Sequence, residues 1–285
     1  MKIRSINNRQ AVDFIVKMLS GLSAVMGVIM LGWILFEVIS RGIGAINLSF
    51  FMKLPAPPGM SGGGLANAIV GTLLMTLLAT VIGVIVGMFA GIYLSEFGKT
   101  NTLANAVRFS ANLLGGTPSI IIGVFVYTLV VLPVKHFSGY AGSIALAIIM
   151  LPVVARTTED MMLLVPNELR ESALALGAPR WKVSTGIVLR AAKAGLLTGV
   201  LLAVARVSGE TAPLLFTSLN SPYWPKSLNE PTANLTVTIF NYAMSPYSNW
   251  QQLAWGASLL IMAGVLLVNI SARFIFRGGR IHGGR

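Results

Sequence analysis

An all-α integral membrane protein with six transmembrane helices and both termini in the cytoplasm is the fold class this sequence predicts. Three observations carry the prediction. Apolar residues make up 55% of the 285 and charged residues only 11%, with a mean hydropathy of +0.77, far from the balance of a soluble globular domain. Six stretches reach the roughly 20 apolar residues that a helix needs to cross hydrocarbon. Lys and Arg gather in alternate connections: with the amino terminus inside, sixteen of the 21 fall in cytoplasmic segments, four outside (Arg41, Lys53, Lys135, Lys226) and one, Arg206, within a span. That asymmetry places both termini in the cytoplasm.

The first span, 18–36, follows Lys2, Arg4 and Arg9 and could be mistaken for a signal peptide. Its apolar run is too long, and VISRGIG follows where small cleavage-site residues would stand, so it reads as a retained anchor. The outer connection INLSFFMKLPAPPGMSGGG is too rich in Pro and Gly to be one regular element. It sets the first helix apart from the second, 65–95.

The third span, 109–134, contains Gly115, Gly116, Thr117 and Pro118, where Thr117 suits a helix N-cap and Pro118 the first helical position. Two readings stand. The glycines allow tight helix packing, the commoner use, or a helix amino end here meets an anion without a full charge. The fourth span is 137–155, and Tyr127 and Pro152 either adjoin a pathway or only shape it.

The inner connection VPNELRESALALGAPRWKVSTGIVLRAAK is polar yet helical in pattern, with Leu169, Ala173 and Leu176 forming one narrow apolar face. Pro166 and Asn167 suit its start, Glu168 and Glu171 favour its positive end, Gly177 suits its stop, and Pro179 can open a second short helix. Such a helix needs a partner protein or a membrane surface to pack on. The fifth span, 194–218, carries Arg206 and Glu210 one turn apart, with Gly209 between them and Pro213 after. A charge at that depth costs at least roughly 2.5 kcal/mol, so it faces protein or water. The spacing predicts that the two can pair on one helix face, and broken backbone here suits a cavity lining. The sixth span is 253–270, preceded by a long outer segment in which Tyr247, Trp250 and Trp255 suit interfacial anchoring.

Several function classes fall away. The net charge of +12 belongs to inner loops beside anionic lipid, and no basic run is interleaved with aromatics as on a nucleic-acid surface. There is no cysteine, and His136 and His282 have no second ligand at metal spacing, so no metal site is expected. No G-x-x-x-x-G-K-[ST] run is present, so this chain is not expected to bind ATP itself. No nucleophile and base stand out for an intramembrane enzyme.

Residues 171–190, ESALALGAPRWKVSTGIVLR, resemble the EAA motif of permease subunits of ATP-binding-cassette importers. Glu171, Ala173, Gly177, Ile187 and Leu189 match at the family spacing, while Ser172 replaces the second Ala and Arg190 the final Pro. Further stretches, PPGMSGGGLANAIVGT, GGTPSIIIGVF, ARVSGETAPLLFT and NLTVTIFNYAMSP with WQQLAWG, are similar in order and gaps to the permeases of phosphate importers over nearly the whole chain. The resemblance implies a type I importer (MetI-like) core in helices two to six and a bacterial or archaeal plasma-membrane location. It also implies a PstC-type second permease subunit, a PstB-type ATPase dimer that binds ATP and Mg²⁺, and a PstS-type phosphate-binding protein outside. On that basis the chain divides into an anchor unit, 1–64, a core, 65–276, with its coupling loop at 166–190, and a basic tail, 277–285. Glu171, Ser172, Ala173 and Gly177 are expected to couple to the ATPase; Arg206, Glu210, Thr211 and Thr117 are expected on the substrate pathway. Two rivals share these residues: an importer of another oxyanion (phosphonate, sulfate, molybdate), and an ion-coupled transporter with a proton relay through Arg206, Glu210 and Glu37.

Overall fold

The computed structural model describes residues 6–98 and 101–277, and among them every regular element is a helix. Helix α1 is Ile6–Gly42, the short α2 is Leu48–Met52, and α3 is Ala66–Glu96. A bent pair follows, α4 (Thr102–Gly116) and α5 (Ser119–Val134), with 106° between their axes. Then come α6 (Gly139–Leu163), the cytoplasmic α7 (Asn167–Ala175) and α8 (Arg180–Ser208). A four-residue helix α9 (Ala212–Leu215), an outer helix α10 (Leu235–Ala243) and α11 (Ser248–Arg277) complete the chain. Five helices are long and apolar enough to cross a membrane, or six spans if the bent pair is one. The basic tail expected at 277–285 lies, past Arg277, outside the described residues.

Helix α6 is the centre. Two thirds of its most apolar window is buried, where other spans bury about a quarter or less, so it reads as a core helix rather than a lipid-facing one. Helix α3 lies along it through positions four apart, Met75, Ala79, Gly83, Gly87 and Gly91, all buried. Small residues let the backbones close up, which drives helix association where both helix and lipid are apolar. A Cβ on Gly91 would lie 2.5 Å from the Ala155 carbonyl oxygen and from Thr158 Cβ. Gly91→Leu is therefore expected to reduce the membrane-assembled protein several-fold on an immunoblot. Gly27→Ala on α1, where nothing lies within 4 Å, leaves it unchanged.

Helix α1 stands largely apart, with nearly all of its described apolar side chains exposed. It leans on α11 at the outer end, where Gly42 meets the Trp255 carbonyl and Arg41 stacks 5.2 Å from the Trp255 ring. Trp250 departs from the anchoring expected of it. Its ring stacks on Tyr242 at 4.4 Å and its Nε1 donates to the Ala56 carbonyl at 3.2 Å, so it ties the proline-rich outer loop to α10 and α11. Burial also pushes the Tyr242 phenol up to about 12, keeping it uncharged at any working pH.

Candidate functional site

Two spans are broken close to where Thr117-Pro118 and Gly209 to Pro213 interrupt their apolar runs, and the helices after the breaks meet. Helix α8 begins at Arg180, well before position 194, and stops at Ser208; Gly209 caps it by donating its N–H to the Arg206 carbonyl at 3.2 Å. The Glu210 N–H donates to the Val207 carbonyl at 3.2 Å, and the chain continues through Thr211 into α9, whose Pro213 packs against α5: a Cβ on Gly123 would lie 2.6 Å from Pro213 Cα. The Arg206–Glu210 pair expected from their spacing is absent, because that spacing aligns side chains only while the helix lasts. Among the described residues Arg206 is exposed with no hydrogen bond or ion pair, and the Glu210 side chain likewise has no partner. The Glu210 backbone is held instead: its carbonyl accepts from Thr236 Oγ1 at 2.8 Å.

Asn234 organises this outer side. Its Oδ1 caps α10 by accepting from the Val237 N–H at 2.8 Å, and its Nδ2 donates to Ser218 Oγ at 3.2 Å. Asn234→Ala removes the cap and the links to Ser218 Oγ and the Leu219 carbonyl, a loss of about 1–2 kcal/mol. The expected result is a clearly lower melting temperature for the purified complex, checked by thermal denaturation.

Counting from Lys193 at the inner face, Arg206 lies about 20 Å into the bilayer at 1.5 Å per residue, in the outer half of roughly 30 Å of hydrocarbon. Its position in the last turn of α8 also sets its charge against the negative end of the helix.

At the other break, Thr117 does not cap α5. Its hydroxyl donates backwards to the Leu113 carbonyl at 2.7 Å, finishing α4, and the following helix starts after Pro118 with no side-chain cap. A Cβ on Gly115 or Gly116 would meet nothing within 4 Å, so neither glycine serves tight packing within this chain. Gly115 borders a cleft of about 400 Å³ between α4 and α6, with Asn112, Pro152, Arg156 and Asp160 on its walls. Arg156, counted from the sequence in a cytoplasmic segment, is exposed at this cleft; it bonds Asn112 Oδ1 and pairs with no carboxylate among the described residues. Its position four residues after a helix-interior proline was the available signal. Pro152 thus shapes the cleft, while Tyr127 opens a π-helical segment of α5 and packs on Phe137.

On the cytoplasmic side the expected short helix is present. α7 starts after Pro166 and ends in a Schellman turn, with Gly177 N–H donating to Leu174 O at 2.9 Å and Ala178 N–H to Ala173 O at 3.1 Å. Gly177 has φ +78, which favours glycine. Of the apolar face only Ala173 turns inward; Leu169 is 47% and Leu176 89% exposed, leaving an apolar edge for something outside the chain. Glu171 is exposed and makes no bond, and Ser172 donates only to the Glu168 carbonyl. Pro179 does open a helix, but one that runs unbroken to Ser208 rather than a separate short one. A π-helical segment, Ser184–Val188, occupies the joint before Arg190, so the missing motif proline leaves no break.

The relay of the ion-coupled rival is not assembled. Glu37 pairs with Arg41 on α1, and no hydrogen bond or ion pair joins it to Arg206 or Glu210.

A helical subunit with five spans, or six if the bent pair is one, with broken spans inside and a short exposed helix at one end, has the architecture of a membrane transport component. A family model for the binding-protein-dependent transport system inner membrane component matches residues 83–280. Phosphate transport system permease protein PstA of Yersinia pestis is 52% identical over 94% of this chain and 91% of its own length. PstA of Haemophilus influenzae is 49% identical over 91% and 92%, and a probable PstA of Methanocaldococcus jannaschii is 34% identical over 94% and 95%. The chain belongs to the PstA family of binding-protein-dependent transport permeases. Two solved structures share the fold: a bacterial alginate ABC transporter, with TM-score 0.67 and 13% identity over 99% of this chain and all of that one, and the MetNI methionine ABC transporter, with TM-score 0.63 and 21% identity over 75% and 95%. The protein is a multi-pass plasma-membrane transport component rather than an enzyme, and it works in a complex with other subunits.

Proposed function

We propose that this chain forms half of the translocation pathway of an ATP-driven importer of inorganic phosphate. The observation that carries the proposal is Arg206, an exposed guanidinium in the outer half of the membrane with no partner in its own chain. A guanidinium offers two parallel donors to two oxygens of a phosphate, as a lysine does not. Glu210, Thr211 and Thr117 line the same pathway near the two breaks, with Glu210 limiting how tightly a dianion is held. Arg156, nearer the cytoplasm on α6, offers a second cationic stop on the way in.

In this reading a PstC-type permease completes the pathway, a PstS-type protein delivers phosphate, and a PstB-type ATPase dimer holds ATP and Mg²⁺. Closure of that dimer pulls on Glu171, Ser172, Ala173 and Gly177. The working core is 65–276, with the coupling loop at 166–190, and 1–64 anchors it. Relatives called phosphate permeases across bacteria and an archaeon support this reading.

Labelled phosphate uptake in cells carrying all subunits tests it. Uptake is expected to require ATP and to resist excess sulfate, molybdate and phosphonate. Competition by one of these at equal concentration favours the rival oxyanion, and uptake that survives loss of ATPase activity favours ion coupling.

A further inference from the structure

The cytoplasmic end of α3 carries a glutamate that neither the pathway nor the ATPase contact uses. Glu96 closes α3 at its carboxyl end, where the helix dipole disfavours a negative charge. It is nevertheless held inward, with 11% of its side chain exposed, opposite Arg170 of the coupling helix, which is 12% exposed. Arg170 Nη2 donates to Glu96 Oε1 at 2.9 Å and to the Met162 carbonyl near the end of α6 at 2.7 Å. The other carboxylate oxygen accepts from Ser184 Oγ, in the π-helical segment of α8, at 2.8 Å. One carboxylate and one guanidinium therefore join four segments, α3, α6, α7 and α8. Beneath them a closed apolar patch that includes Met162, Ala173, Val183 and Val188 seats α7 on the spans.

We propose that Glu96 is a positioning residue for energy coupling. Through Arg170 and Ser184 it fixes the coupling helix rigidly to α3, so that a displacement of α7 is delivered to α3 and not only to α6 and α8, which α7 joins in sequence. Three features carry this. Glu96 uses both oxygens on two different elements, so it fixes orientation as well as distance. Arg170 and Glu96 are both held almost out of solvent, at 12% and 11% exposed, so water competes little for the contact. Close packing of α3 along α6 then transmits the displacement towards the broken spans. The inference rests on the importer reading; wild-type uptake tests that reading, and the variants below test the clamp.

The experiment uses the complete complex in proteoliposomes, measuring phosphate uptake and ATP hydrolysis per assembled complex for wild type, Glu96→Gln, Arg170→Gln, the double variant and Ser184→Ala. Glu96→Gln keeps the shape and removes the charge. The expected result is at least a tenfold fall in uptake, with ATPase subunits still co-purifying and basal ATP hydrolysis within about twofold, so that more ATP is spent per phosphate moved. The double variant is no worse than either single, because both remove one link, and Ser184→Ala loses about two- to threefold. The proposal is overturned if uptake per assembled complex is unchanged in Glu96→Gln, if uptake and ATP hydrolysis fall in equal proportion, or if the two single losses multiply in the double variant. If wild-type complex itself moves no phosphate, the importer reading fails and the clamp falls with it.

Discussion

Replacing Arg206 by Gln is expected to lower phosphate uptake by about 30- to 1,000-fold while leaving the assembled complex in the membrane. The magnitude follows from losing two charge-assisted hydrogen bonds to the passing anion for at most one neutral one, about 2–4 kcal/mol. Assembly survives because Arg206 is exposed and holds no partner in the fold, so its removal leaves no buried charge behind. Arg206→Lys keeps the charge but loses the fork and is expected to fall between the two. Glu210→Gln costs less, within about tenfold, since its side chain pairs with nothing and only its backbone is fixed. Uptake assays normalised to immunoblotted complex check all three. Normal uptake in Arg206→Gln would return the residue to a role at the helix end, offsetting the α8 dipole.

Gly177→Pro is expected to abolish uptake and to release the ATPase subunits during purification. Proline cannot reach φ +78, and it has no N–H to donate to the Leu174 carbonyl, so the turn that ends α7 cannot form. The exposed leucines at 169 and 176 then lose their fixed relation to Glu171. Glu171→Lys is expected to give the same loss by inverting an exposed charge without unfolding the helix, since Glu171 makes no bond within the chain. Ser172→Ala, by contrast, removes only a hydrogen bond to the preceding turn and restores the family residue, so uptake stays within about twofold. Co-purification of the ATPase measured beside uptake separates a lost contact from a lost fold. A Gly177→Pro complex that still binds ATPase and transports would remove the coupling role from this loop.

The contrast between Glu171 and Glu96 shows why one site was legible in the sequence and the other was not. Glu171, Ala173 and Gly177 lie within one short helix, so their spacing already fixes their relative positions, and the structure places the start and stop of that helix where Pro166 and Gly177 predict. Glu96 and Arg170 stand 74 residues apart, and nothing local joins them. The trace they left was a glutamate at the wrong end of an apolar helix, which requires a cation nearby but does not name it. Arg206 and Glu210 misled in the opposite direction, because spacing four apart implies contact only on a continuous helix. Arg156 was counted in a cytoplasmic segment because the apolar run ends just before it, whereas α6 continues to Leu163.

The sequence by itself determined what depends on solvent and on local geometry: the membrane class, the apolar spans, the short helix Asn167–Ala175 with its glycine stop, and an arginine within an apolar span, where a charge must face protein or water. Those follow from transfer of side chains between water and hydrocarbon and from the conformational limits of Gly and Pro, which neighbours in the fold alter little. Only the tertiary structure decided that the helices after the breaks pack together at Gly123 and Pro213, that Arg206 lacks its expected partner, and that Glu96 binds the short helix α7 to α3. In a membrane, helix against lipid and helix against helix are nearly equal for apolar side chains. Close backbone approach and a few buried polar contacts therefore choose the arrangement, and both join residues distant in the chain.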